Sequence, residues 1–270
     1  MQNKSAQRES KSLKTFFLYS ALVFFVILGS LAIKAFFVIQ QSKFDGKSQF
    51  IIAITKDGTV EEVLNLQPTT STISVLKLKG KALKLDVLGK TLGVIPNAFV
   101  TTHGDLPQNN PSDTLLAIAM RYSILKTNLT LFDVGRLLFL AKKTSPNEIT
   151  TETIALPVND VQGESTIKEL FTDQGIVSDN LSIEIINASD QPGMGGRLEQ
   201  VITNMGGNVV SVSTSHSKIA QSQIQYFGQS SYTLEKFHTL LRFPVKQLNK
   251  ETLADIVITI GENSKRDNSF

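Results

Sequence analysis

The 270-residue sequence contains no cysteine and no tryptophan. Without cysteine there is no disulfide, no thiolate metal site, no cysteine nucleophile and no lipid attached through sulfur. An exported domain of this kind must rely on its apolar core, a usage that fits a bacterial envelope better than a eukaryotic secreted protein. Without tryptophan, an aromatic platform for a sugar ring would have to come from Phe or Tyr. A field of positive charge is also missing. The formal net charge is +3, and the first 14 residues supply that much alone, through Lys4, Arg8, Lys11 and Lys14 against Glu9. The rest is close to neutral and offers no basic surface to nucleic acid.

Several catalytic signatures are absent. There is no G-x-S-x-G nucleophile elbow. His103, His216 and His238 are scattered with no paired spacing, so no metal site is expected. His103 and His216 read as surface histidines. Asn128 and Asn187 open glycosylation sequons that would be coincidental in a bacterial chain.

A long apolar run is present. Residues 15–33 hold 19 residues without a charge, roughly 28 Å of helix and close to the thickness of a bilayer core. The run continues past Lys34 to Ile39, and the lysine stem can carry its amine to the interface. It exceeds the core of a cleaved signal peptide, and no small-x-small cleavage site follows. The expectation is a single uncleaved transmembrane anchor over residues 15–39. The positive-inside rule leaves residues 1–14 in the cytoplasm and the body outside. A cytoplasmic segment this short cannot form a DNA-binding fold.

Beyond the polar connector 40–49, the pattern predicts strands at 50–55, 60–66 and 72–79, with Asp57-Gly58 as a hairpin turn. Ile73 and Val75 fall on one face and Ser74 and Leu76 on the other. Residues 82–88 are expected to continue the sheet. A buried helix is expected from Ser112, its N-cap, to about residue 126, a second helix over 131–143 after Thr130, and a closing strand over 149–156. Together 48–157 read as one α/β domain. Residues 158–180 read as a linker with one short helix. A second module follows over 181–262, with strand, helix, two strands, helix and strand in that order, a compact two-layer α/β domain. Residues 263–270 read as a disordered tail.

The second module carries ordered motifs. A strand ends in Ile186-Asn187-Ala188. Gly193-Met194-Gly195-Gly196 leads into a helix that stops before Gly206-Gly207-Asn208-Val209-Val210. Gln223-Ile224-Gln225-Tyr226-Phe227 precedes a helix with Leu234 and Leu241, and Asp255-Ile256-Val257-Ile258-Thr259-Ile260-Gly261 closes the module. In this order they resemble the LytR C-terminal domain of LytR–CpsA–Psr envelope proteins. The layout of anchor, sheet domain and terminal module is similar to that family's. Its catalytic domain transfers polyprenyl-pyrophosphate-linked glycans onto peptidoglycan, using a Pro-Arg-Asp-like turn after a strand and acidic residues that hold a metal. Here the corresponding strand runs into Lys79-Gly80-Lys81. The resemblance therefore implies a shortened or degenerate relative without transferase activity or cofactor, binding a cell-wall polymer or an envelope partner. An active phosphotransferase would instead need Asp57, Arg121 and Arg136 to converge around Mg²⁺.

The loop before the second module's first helix is the place for a ligand, because helix N-termini attract anions. Asn187, Ser189, Gly193, Gly195, Gly196 and Arg197 are the residues singled out. The loop is neither a full G-x-G-x-x-G nor a P-loop, and a turn that lets helix pack closely on strand is the favoured reading, with the ligand site as the alternative. Tyr226, Phe227, Phe237 and Phe243 read as core, with a glycan-stacking patch as the alternative.

Overall fold

The computed structural model describes residues 3–107, 110–158, 161–250 and 252–265. Parts of the expected linker (159–160) and tail (266–270) lie outside these residues. Helix α1 (Asn3–Gln40) contains, from Phe16 to Gln40, a stretch long and apolar enough to cross a membrane. Its apolar side chains are exposed throughout that stretch.

The first domain is built on a sheet of β1 (Phe50–Lys56), β2 (Thr59–Gln67), β3 (Thr72–Gly80), β4 (Ala98–Thr102), β5 (Lys126–Thr127) and β6 (Ile149–Leu156), in the order β5-β4-β1-β2-β3-β6. Asp57 and Gly58 both take positive φ (50° and 84°), as the β1–β2 hairpin turn requires. Helices α3 (Pro111–Met120) and α4 (Leu131–Lys143) cover one face. There Ile52, Leu64, Ile73 and Val75 meet Leu115, Ile118, Val134 and Leu137. The short α2 (Leu88–Leu92) and α5 (Val161–Phe171) cover the other, where Ile51, Ala53, Val63 and Leu76 meet Leu88, Ile167, Leu170 and Phe171. Burial on both faces explains why these strands read as continuous apolar runs.

Three local expectations are corrected. Residues 82–88 do not extend the sheet, because β6 already occupies the outer edge of β3 along residues 73–80. Gly80 (φ 95°) turns the chain away, and α2 forms instead. Helix α3 is capped by Asn110, whose side chain accepts from Ser112 N, with Pro111 in the first turn. It ends at Met120 because the chain is needed at the sheet edge: Asn128 Oδ1 accepts from Phe99 N (2.9 Å) and Thr127 Oγ1 donates to Phe99 O (2.6 Å). Helix α4 begins where expected, with Thr130 and Asp133 forming a capping box.

The segment expected as a linker is two helices, α5 and α6 (Gln174–Asp179). The carbonyls at the end of α5 and just beyond it are met by side-chain amides of the first domain. Asn65 donates to Leu170 O (2.7 Å), Gln49 to Phe171 O (2.8 Å) and Gln67 to Thr172 O (2.8 Å). These are the groups a helix C-terminus leaves without intrahelical donors.

The second module comprises β7 (Ser182–Asn187), α7 (Met194–Asn204), β8 (Asn208–Thr214), β9 (Gln223–Phe227), α8 (Tyr232–Leu241), β10 (Val245–Leu248) and β11 (Ile256–Ile260). Its sheet order is β10-β9-β11-β7-β8, so the expected pattern gains one edge strand, β10. Both helices pack on one face, where Ile183, Ile185, Ile224 and Ile258 meet Leu198, Ile202, Leu234 and Phe237. Part of the expected disordered tail is ordered. Glu262–Lys265 form a 3₁₀ turn, and Asn263 Oδ1 accepts from Ser222 N and Oγ, both at 2.7 Å.

Candidate functional site

The loop between β7 and α7 brings the six singled-out residues together, yet turns most of their polar groups inward. Asn187 and Ser189 are 4% and 2% exposed. Asn187 Oδ1 accepts from Ser189 N (3.1 Å) and Oγ (2.7 Å), and its Nδ2 donates to Gln191 O (2.8 Å). Arg197 is directed at Met194 Sδ (2.9 Å). Gly193 takes φ 79° at the N-cap of α7. A Cβ on Gly195 would lie 2.9 Å from Val212 Cγ1, so this glycine lets helix approach strand. Gly196 differs: nothing lies within 4 Å of a Cβ built there. It lines a polar cleft of about 690 Å³ between α5 and α7, with Glu164, Lys168, Glu199 and Gln200.

Asp57, Arg121 and Arg136 do not form one cleft. Asp57 Oδ1 lies 3.1 Å from His103 Nδ1, and Arg121 donates to Asp105 O (3.0 Å), both beyond the C-terminal end of β1. Arg136 donates to Phe44 O and Asp45 O, both at 2.6 Å, before β1 begins. The length of β1, about 20 Å, separates the two places. Among the described residues no group of three or more His, Cys, Asp or Glu side chains could hold a metal ion.

Two buried ionisable features carry no signal in the sequence. Lys236 on α8 and Asp173, between α5 and α6, are 7% and 3% exposed. Lys236 Nζ donates to Gln49 O (2.6 Å) and lies 3.4 Å from Asp173 Oδ2, which also accepts from Tyr232 OH (2.8 Å). Burial pushes the Lys236 ammonium below its ordinary pKa, opposed by the Asp173 carboxylate. Burial and the same carboxylate push the Tyr232 phenol up. This cluster joins the second module to the start of β1. Asn204 adds a second tie, donating to Leu92 O (2.9 Å) at the end of α2. The other feature is Glu62 on β2. Burial raises its carboxyl to about 7, with Lys77 opposing and Glu61 adding to the shift.

The second module leaves one sheet face without a helical layer. The register places Lys246, Gln225, Val257, Glu184 and Ser211 in one row across it. Gln223, Thr259, Ile186 and Ser213 form the next row. Glutamine and serine side chains at 211, 213, 223 and 225 are partly or fully exposed. Phe227 lies at the margin, 41% exposed, whereas Phe237 and Phe243 are in the core and Tyr226 packs against it. The face is therefore rich in hydroxyls and amides, with Lys246 and Glu184 in its first row, although Val257 and Thr259 are themselves only 5% and 8% exposed.

Residues 180–263 match the family described as LytR cell envelope-related transcriptional attenuator. That match bears out the resemblance drawn from the C-terminal motifs. No curated protein matches the chain. Among solved structures, the transcriptional regulator yvhJ from Bacillus subtilis is similar at 13% identity, over 46% of this chain and 97% of that one, with a TM-score of 0.34. The second module thus matches a cell-envelope family, on a chain whose N-terminal helix is long and apolar enough to cross a membrane.

Proposed function

We propose that this is a single-pass envelope protein, with its N-terminus in the cytoplasm and its body outside, that binds or scaffolds cell-wall glycan without catalysing its transfer. The observation that carries the reading is the uncovered face of the second module. Neutral sugars are bound through amide and hydroxyl side chains, and an exposed aromatic ring at the margin suits a sugar's apolar face. The first domain is the degenerate counterpart of a catalytic domain and serves as the spacer between α1 and that face. The Lys236–Asp173 and Asn204–Leu92 ties support a fixed rather than a swinging arrangement of the two.

The test uses the full-length protein in lipid nanodiscs, sedimented with purified wall sacculi. Retention that survives high salt and is competed by soluble wall fragments supports the reading. Absence of retention removes its support. Calorimetry with a pyrophosphate-linked polyprenyl lipid and Mg²⁺ probes the alternative. Saturable, metal-dependent binding that is lost in Asp57→Asn or Arg121→Ala would favour a divergent glycopolymer phosphotransferase.

A further inference from the structure

The chain leaving α1 does not hang free. Asp133, in the first turn of α4, accepts from Ser42 Oγ (2.5 Å), Lys43 N (3.0 Å) and Phe44 N (3.0 Å) through Oδ1. Its Oδ2 accepts from Thr130 N and Oγ1, both at 2.8 Å. Arg136 then holds the carbonyls of Phe44 and Asp45, with its guanidinium 5.4 Å from the ring centres of both Phe44 and Phe132. The start of α4 is therefore strapped beside the end of α1.

The outward side of α4 is apolar where a soluble surface would be polar. Leu131, Phe132 and Phe139 are 56%, 37% and 72% exposed. Leu131, Gly135 and Phe139 follow one another at helical spacing, and the stripe spans about 12 Å. A groove of about 650 Å³ runs along it, from Phe44 past Phe132 to Lys143. On α1, Phe36, Phe37 and Ile39, in the last turns before the strap, are exposed too, at 62%, 54% and 53%. The two apolar surfaces adjoin at the strap. Cationic groups border the stripe: Arg136 beside Phe132, and Lys142 and Lys143 in the last turn.

We infer that α4 is an interfacial helix that lies on the outer leaflet of the same bilayer that α1 crosses. Leu131, Phe132 and Phe139 enter the boundary between headgroups and acyl chains, and Arg136, Lys142 and Lys143 meet lipid phosphates. This rests on the reading of α1 as a membrane anchor. The bilayer is the favoured occupant because the tether places it there: the first turn of α4 holds residues 42–44, which begin two residues past the end of α1. Exposed aromatic and aliphatic side chains beside cations have the chemistry of an anionic lipid surface.

The absence of cysteine makes the test clean. Val26→Cys, Phe139→Cys and Ser217→Cys are each labelled with a polarity-sensitive fluorophore, in full-length protein in nanodiscs of phosphatidylglycerol and phosphatidylethanolamine. Leu131→Cys serves as a second reporter should Phe139→Cys fold poorly. The expected result is that labels at 26 and 139 are shielded from iodide and quenched by spin-labelled lipid. The nitroxide acts deep in the bilayer at 26 and near the headgroup at 139. The label at 217 shows the reverse. If iodide reaches 139 or 131 while 26 stays shielded, the inference is overturned and the anchor stands. If iodide reaches 26, the anchor fails and the inference with it. Shielding at 139 without quenching by lipid means that protein covers α4, which also overturns the inference.

Discussion

Lys236 and Asp173 lie 3.4 Å apart at the joint between the two domains, each almost wholly removed from solvent. A buried pair is most revealing when one partner is taken away, because the remaining charge is stranded. Lys236→Met is expected to cost about 3–5 kcal/mol in urea unfolding. Adding Asp173→Asn should recover part of that loss. A single-variant effect under about 1 kcal/mol would mean the pair does not fix the joint.

Glu62 gives a pH signature. Its carboxyl is raised to about 7 in the fold, against an ordinary value of 4.5. The folded state therefore binds the extra proton, so stability is fully present below the ordinary value and falls as pH rises through about 7. The difference corresponds to about 3 kcal/mol. Glu62→Gln, which is always neutral, should match the parent near pH 4 and exceed it by about 3 kcal/mol near pH 8. Parallel stability profiles for the two proteins would contradict this.

Gly195→Ala drives a methyl group against Val212 and is expected to cost about 1–3 kcal/mol, read as a lowered Tm. Val212→Ala in the same chain should restore much of it. Rescue of this kind identifies the glycine-rich loop as a packing device. If the loop were a ligand site instead, Gly195→Ala would weaken ligand binding with Tm unchanged.

For the uncovered face, Gln223→Ala with Gln225→Ala removes two amides at little structural cost. Two hydrogen bonds of about 1 kcal/mol each correspond to a loss of wall affinity of roughly tenfold or more. Thermal unfolding should be unchanged. Full retention on sacculi would place the glycan elsewhere.

The sequence carried whatever local rules decide. The Asp57-Gly58 turn needs positive φ, and Thr130 sits in a capping box with Asp133, so the first hairpin and α4 were legible. The alternation of Ile73, Val75 and Leu76 between two buried faces was legible for the same reason. The fate of 158–180 was not, because the amides that end α5 come from afar. Asn65 lies 105 residues from the carbonyl it meets. The end of α3 was hidden likewise, since edge-strand pairing by residues 126–127 overrode a helical pattern. In the second module the polar alternation at 211, 213, 223 and 225 was present in the letters. That it paves an open face depends on both helices choosing the other side, which is a matter of topology. Lys236 is not legible in the sequence, because a lone lysine in an amphipathic helix looks like any solvated charge until its neighbours are known.

The strap between Ser42 and Asp133 has a mechanical consequence. With α1 clamped to α4, and the first sheet clamped through Gln49 to Lys236, the chain offers few soft joints between membrane and outer face. A sideways pull on the second module is delivered to α1 as torque. On the proposed reading of α1 as an anchor, it would tilt the membrane helix rather than stretch a tether, and the protein would act as a lever whose fulcrum is the bilayer surface.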